Sequence, residues 1–305
     1  MTVTLFFREL LPTKPILVLY GPPNAYKTET ARSILTFLFG RAANVCDPPS
    51  GPRDLNVVAN ASHVLFLDDF SPVNQNLEKP LVRISTGMTA AERQLYTNKG
   101  VSLAKPDVFI GLTAKLPYFS HEDFLQRSLI IRLENGTNNL SSQHIKKQIL
   151  NNRNRIWSEV LQTLNEMVAR LKSQNTSKPS GLSFRMADWA QLLLKTNPKK
   201  KANYIHDLLA KINRDQIQFL IESNPLALAM SIWLKDKNNR AKWFESGTIR
   251  KKLRVIAQQK GLDFKAYDNS QVFGSELANV VSTFARIYNV KSKRSRGRNS
   301  YRFTK

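Results

Sequence analysis

The chain has 305 residues, 42% of them hydrophobic, which is enough to bury a core with length left for a second domain and too apolar for a disordered polymer. One cysteine, Cys46, excludes an intramolecular disulfide, the four histidines show no metal-ligand spacing, and no apolar run reaches the roughly 18 residues of a membrane span. Against 23 acidic residues stand 46 Lys and Arg, a formal net charge of +23, and nucleic acid is the usual polyanion that neutralises such an excess. The first eleven residues are apolar but carry Arg8 and Glu9 and no small-residue cleavage site, so they do not read as a signal peptide. A cytoplasmic protein with no membrane partner is expected.

In chain order, Ile16-Leu-Val-Leu-Tyr20 is an unbroken apolar run of the kind buried in a parallel sheet. It enters Gly21-Pro-Pro-Asn-Ala-Tyr-Lys-Thr28, and a stretch with Ala31, Ile34, Leu35 and Leu38 at helical spacing follows. Strand, loop and helix in that order are the setting in which a phosphate loop works: backbone N–H groups and a helix N-terminus face the phosphates. On this reading Gly21, Asn24, Ala25 and Tyr26 shape the ATP loop, Lys27 reaches the β- and γ-phosphates, and Thr28 ligates Mg²⁺. The usual glycine before the lysine is Tyr26 here, so a decayed loop is the alternative.

Val64-Leu-Phe-Leu67 is a second buried-type strand, ending at Asp68-Asp69. Asp68 is the candidate Mg²⁺ ligand and Asp69 the group that orients an attacking water. Arg93 to Ala104 reads as a hairpin turning at Asn98-Lys99-Gly100, with Lys99 placed either to grip a DNA backbone or simply as a solvated turn. A third strand, Val108-Phe-Ile110, runs out at Gly111, Leu112 and Thr113, and a fourth is Ser128 to Leu133. Arg127 suits either an arginine finger for a neighbouring subunit or a surface salt bridge.

From about Ser141 the spacing is helical only: Ile149, Ile156, Val160, Leu164, Val168 and Leu171 share a face, and a further helical block runs from Met186 to about Leu234. The segment from Lys235 to Lys242 is charged and turn-rich.

These residues together resemble a family of bacterial phage and mobile-element replication proteins. Its members pair a helicase-like ATPase core, related to superfamily-three and minichromosome-maintenance helicases, with a C-terminal winged helix. The matching stretches include Gly21 to Thr28, Pro52 to Leu55, Val64 to Ser71, Arg83 to Gly87, Arg93 to Thr97, Lys105-Pro106, Phe124 to Leu129, Arg185 to Asp188, Trp243 and Gly247-Thr248. The resemblance implies Lys27 and Thr28 for nucleotide, Asp68 and Asp69 as the acids, Arg127 as the finger and Arg185 as a lid arginine sensing the γ-phosphate. This chain departs from the family's small residue at Tyr26, its glycine at Asn24 and its sensor asparagine at Ile110, leaving Thr113 as a displaced substitute for the last. Those departures bear on hydrolysis more than on binding.

At the C-terminal end, Ile249, Leu253, Ile256 and Ala257 mark a helix that ends at Gly261. A second helix after Gly274 is expected to bury Leu277, Val280, Val281, Phe284 and Ile287, and to offer Asn279, Ser282, Thr283 and Arg286 to nucleic acid. Two short strands around Gly297 then form a basic wing with Lys291, Lys293, Arg294, Arg296, Arg298 and Arg302, the alternative being a basic tail.

The fold expected is α/β: a P-loop, AAA+-like ATPase core over 1–140, a helical lid or connector over 141–238, and a winged-helix domain over 239–305. The function expected is a DNA-dependent ATPase, a replicative helicase of a phage or mobile element acting on single-stranded or origin duplex DNA as a homo-oligomeric ring. The rival is a DNA-binding initiator or helicase loader that does not hydrolyse ATP.

Overall fold

The computed structural model describes residues 2–40, 44–88, 90–93, 101–104, 106–116, 119, 121–136, 140–173, 184–295 and 297–304. The chain divides into two compact units, Met1–Gln216 and Ile217–Lys305. Among the described residues no helix is long and apolar enough to cross a membrane.

The first unit opens with a 3-10 segment, Thr2–Leu10. It continues through β1 (Ile16–Tyr20), α1 (Lys27–Phe39), α2 (Pro52–Asn60), β2 (Val64–Phe70), α3 (Glu78–Ser85), β3 (Ala90–Arg93), β4 (Val101–Ala104), β5 (Phe109–Ala114), α4 (Glu122–Leu125) and β6 (Ser128–Arg132). Three helices follow, α5 (Ser142–Ser173), α6 (Ala187–Thr196) and α7 (Ala202–Ser223), the last of which crosses into the second unit.

Four strands make a parallel sheet in the order β2-β5-β1-β6. Parallel strands covered on both faces need apolar residues at every position, and Ile16 to Leu19 and all of β5 are buried accordingly. Ala114 is in register with Tyr20 on one side and Phe70 on the other. The segments that leave β1, β2 and β5 therefore emerge together at the carboxyl edge of the sheet, where open α/β sheets bind ligands.

Strand β5 runs past Gly111 to Ala114, whereas the sequence predicts that it ends there. The glycine serves packing, not a turn. A Cβ on Gly111 would lie 2.2 Å from Cε1 of the buried Phe66 ring, so only glycine lets β2 and β5 close up around that ring.

Helix α5 buries Leu164 and Met167 while Ile156 and Val168 stand exposed, so the buried stripe of this helix is narrower than the apolar spacing predicts. It also fastens α1. Arg153 donates through Nε to the Phe37 carbonyl (2.8 Å) and through Nη2 to that of Leu38 (3.0 Å), and Trp157 stacks on Phe37 at 4.9 Å. A cation on the last carbonyls of a helix satisfies acceptors that have no intrahelical donor. The expected helical block from Met186 onward is broken near Pro198 and Pro225, which cannot donate to the preceding turn.

The second unit contains the end of α7, then α8 (Pro225–Trp233), β7 (Phe244–Glu245), α9 (Ser246–Lys260), α10 (Ser270–Phe284), β8 (Asn289–Ser295) and β9 (Arg298–Thr304). The strands form an antiparallel sheet in the order β7-β9-β8. Leu226, Met230, Trp233, Ile249, Leu253, Phe273, Leu277, Phe284, Tyr301 and Phe303 make one buried core. The charged segment after Leu234 is tied to it: Arg240 Nε donates to the Leu234 carbonyl (2.7 Å) and the Ala241 N–H to that of Phe303 (2.7 Å). Gly261 caps α9 at φ 63°, as its position predicts.

Two expectations for α10 are corrected. Thr283 is buried, because it falls one turn after Val280 on the core side of the helix. Ile287 is exposed, because the helix ends at Phe284 and its periodicity does not reach that far.

Gly111→Ala is expected to destabilise the first unit by about 1–3 kcal/mol through overpacking against Phe66. The check is thermal unfolding of the variant, where a midpoint within a degree of wild type would contradict the packing role assigned to Gly111.

Candidate functional site

The loop after β1 is shaped by close backbone approach. Gly21 donates its N–H to the Ala114 carbonyl (3.2 Å), and a Cβ there would stand 2.2 Å from the Leu133 carbonyl oxygen, so a side chain is excluded. Asn24 (φ 64°) and Tyr26 (φ 54°) adopt the left-handed conformation. Asparagine tolerates it well; for an aromatic residue it costs about 1–2 kcal/mol. Tyr26 is the N-cap of α1, and its carbonyl accepts from both the N–H and the hydroxyl of Thr30, each at 2.8 Å.

Lys27 begins α1, and its Nζ donates to the carbonyls of Gly21 (2.9 Å) and Pro22 (2.7 Å). Burial pushes its pKa below the usual lysine value, with Lys115 adding to the decrease and Asp69 and Asp68 opposing it. A cation curled over its own loop, with two carboxylates nearby, is poised to meet an anion seated on that loop.

Asp68 ties three elements together. Its Oδ1 accepts from the hydroxyl of Thr28 on α1 (2.9 Å) and, in a short bond, from the hydroxyl of Thr113 on β5. The Thr113 oxygen also accepts from the Asp69 N–H (2.9 Å). Asp69 has φ 52°, at the point where pairing between β2 and β5 breaks, and this bulge sends its carboxylate outward to Lys115 Nζ (3.1 Å). Behind the acidic pair, Phe70, Phe119 and Phe124 stack in series at 5.2 and 4.7 Å, all fully buried. Ile110 is buried in the sheet and offers the site no polar atom, so Thr113 provides the polar contact from β5.

The loop opens into a cavity of about 510 Å³ lined by Asn24 to Thr28 with Glu29, Arg32 and Ser142, a size suited to a small ligand. Arg32 was legible in principle, since it lies four residues after Thr28 on the same helix face. Ser142, which begins α5, carries no signal in the sequence. Among the described residues no cluster of three or more His, Cys, Asp and Glu could hold a metal. A Thr28 hydroxyl beside a single Asp68 carboxylate nonetheless fits Mg²⁺, which takes one or two protein oxygens and completes its shell with water and phosphate.

The two arginines lie elsewhere. The Arg127 side chain is only 10% exposed; it donates through Nη1 to the Asp123 carbonyl (2.9 Å) and pairs with that residue's carboxylate. Its Nε has no hydrogen-bond partner among the described residues. Arg185 Nη2 reaches the same carboxylate at 3.2 Å. Sequence reasoning placed Arg127 at a surface, as a finger or as an exposed salt bridge; here it is turned inward, because the short helix α4 sets Asp123 one turn before it.

In the second unit, Arg286 follows α10 and is exposed, as are Lys291, Lys293, Arg294 and Arg298 on the β8–β9 hairpin, while Arg302 is half-buried. Arg298 pairs with Glu245 at 3.1 Å. Lys99 and Arg296 lie outside the described residues; of the Lys99 hairpin only the β3–β4 ladder is described, from Ala90 opposite Ala104 to Arg93 opposite Val101.

A family model described as actinomycete integrative conjugative element replication protein matches residues 4–211. No curated protein matches the chain. Among solved structures, one described as SCCmec type IV Cch, an active helicase, is similar at 14% identity and a TM-score of 0.42, over 76% of this chain and 48% of that one. The chain thus spans about half the length of that protein.

Thr113→Val leaves the Asp69 N–H and one Asp68 lone pair without a donor or acceptor, and is expected to destabilise the first unit by about 1–3 kcal/mol. Thr113→Ser, which keeps the hydroxyl, is expected to lose less than half as much. Denaturant unfolding of the pair makes the comparison, and equal losses would remove the hydroxyl from the account.

Proposed function

The chain belongs to the replication proteins of actinomycete integrative conjugative elements, and we propose that it is a DNA-dependent ATPase of helicase type, with a phosphate-loop core and a winged-helix C-terminal unit. The observation that carries this reading is the bond from Thr28 to Asp68, which sets a loop hydroxyl on a carboxylate forty positions away, beside Lys27. The order β2-β5-β1-β6, with the Thr113 strand between the loop strand and the acidic strand, supports a core of the superfamily-three and minichromosome-maintenance type.

ATP would rest on residues 21–28, where its phosphates draw Lys27 away from the Gly21 and Pro22 carbonyls. Thr28 and Asp68 would hold Mg²⁺, which when bound neutralises charge on the phosphates. Asp69, turned outward by its bulge, would orient a water. The hairpin carrying Lys99 would couple turnover to movement along DNA in a ring of subunits. The helix and sheet arrangement of the second unit, α8-β7-α9-α10-β8-β9, supports the winged-helix reading, and its basic hairpin supports contact with phosphates.

A second reading has its own observation. Arg127 is buried on Asp123 and Arg185 is engaged by the same carboxylate, so the first is not presented as a free finger nor the second as a free lid arginine. This favours an initiator or loader that binds nucleotide and DNA without efficient hydrolysis.

ATP turnover by the full chain, with and without single-stranded DNA and beside Lys27→Ala, decides between the two. Turnover that DNA stimulates and Lys27→Ala abolishes is expected for the motor. Turnover no higher than in that variant, with DNA binding intact, rejects the motor in favour of the loader.

A further inference from the structure

Alternation along the β8–β9 hairpin sorts its residues onto two faces. Val290 opposite Phe303 and Ser292 opposite Tyr301 face the core, where Phe303 and Tyr301 are buried. Lys291 opposite Arg302 and Lys293 opposite Ser300 therefore stand on the outer face. Strand β7 pairs Glu245 with Ser300 and Phe244 with Tyr301, and continuing that register by one residue sets Trp243 beside Arg302 on the same outer face. The side chains agree: Lys293 Nζ lies 4.5 Å from the centroid of the Trp243 ring, and Trp243 is 38% exposed. The indole thus lies in a row of cations, on the face away from the core, with part of its surface open to solvent.

Helix α10 has the opposite character. From Ser270 to Phe284 it contains no Lys or Arg and one carboxylate, Glu276, so it can meet a phosphate backbone only through neutral groups such as Asn279 and Ser282. Helix α9 carries Arg250, Lys251, Lys252, Arg254 and Lys260 without an acid, and Lys252 Nζ lies 5.7 Å from the Phe244 ring, beside the same sheet. The cations of this unit thus gather around the sheet and α9 and leave the helix that a groove-reading module would insert.

We propose that the outer face of the β7-β9-β8 sheet is a platform for single-stranded DNA, on which an unpaired base stacks over Trp243 while Lys291, Lys293 and Arg302 hold the flanking phosphates. An indole ring lying on a sheet can stack only on a base whose face is open, which a duplex does not provide away from its ends. Stacking displaces the Lys293 ammonium from the ring to the adjacent phosphate, so one cation–π contact is exchanged for a base–indole contact and an ion pair. Among the described residues Lys291, Lys293 and Arg302 are in no ion pair, so binding breaks none of theirs. The proposal rests on the reading of the second unit as DNA-binding, and adds which strand state it takes and which residue selects it.

The test uses the full chain, a fluorescein-labelled 15-nucleotide oligothymidylate and a duplex of the same length, with anisotropy read at several salt concentrations and no nucleotide. Trp243→Ala is expected to weaken single-strand binding by about 10-fold or more and duplex binding by less than about 2-fold, while Trp243→Phe keeps most of the single-strand affinity. Lys291→Ala combined with Lys293→Ala is expected to flatten the single-strand salt dependence by roughly 0.7 in log–log slope per cation removed. Unchanged melting of Trp243→Phe and its retained affinity separate stacking from any folding defect of the alanine variant. Equal losses on both DNA forms, or no loss on the single strand, overturn the platform while leaving DNA binding by this unit in place. Failure of the wild-type chain to bind either form overturns both readings.

Discussion

The carboxylate of Asp68 holds the edge of the first unit's sheet in its working shape. It lies near the carboxyl end of β2, and it receives hydroxyls from α1 and from β5. Hydrogen bonds to a charged acceptor are worth about 1.5–3 kcal/mol each, against roughly 0.5–1.5 for neutral pairs. Two such bonds fix the distance between the loop after β1 and the end of β2, and the position of Lys27 follows from that distance. Were Asp68 an apolar residue, the strands would still pair, but nothing would index the loop helix to the acidic strand.

Around that carboxylate the backbone is strained in three places. Asn24, Tyr26 and Asp69 all have positive φ, and each opens a direction that a relaxed chain would not take. Asn24 and Tyr26 turn the loop back toward Gly21, and Asp69 throws its side chain out of the sheet toward Lys115. Non-glycine residues in that region cost of order 1–3 kcal/mol and persist only where surrounding contacts over-determine them. Here the contacts are visible: the Tyr26 carbonyl starts α1, the Asp69 N–H is held by Thr113, and three stacked phenylalanines stiffen the chain beyond β2. Of the four non-glycine residues with positive φ among those described, three lie at the edge where the loop after β1 faces two carboxylates, and the fourth is Ala241.

The two units divide the chain's charge between different tasks. In the first, three arginines tie elements together: Arg153 closes the end of α1, and Arg127 and Arg185 share Asp123. In the second, an apolar core of aromatic and branched side chains supports a surface on which α9 and the hairpin carry cations and α10 carries none. The family match extends over residues 4–211, within the first unit, so the character of the second is argued from its own residues.

Local patterns decided a good deal in advance. The apolar run before Gly21, the turn-prone loop, the glycine ending α9 and the basic hairpin each depend on neighbours a few residues apart, and each is found in place; the second strand runs past the two carboxylates to Phe70, through a bulge that pairing with β5 creates. What depends on partners far along the chain was not legible. Gly111 has the same look whether it ends a strand or lies beneath Phe66; Arg127 has the same look whether it faces solvent or Asp123; Thr283 has the same look on either side of its helix. The bond from Thr113 to Asp68, the place of Ser142 in the cavity and the company Trp243 keeps with Lys293 all join residues more than forty positions apart. Periodicity and turn chemistry act over one or two turns of chain and so are written in the sequence; strand order and the direction of a charged side chain are set by which distant surfaces exclude water together, and only the tertiary structure decides that.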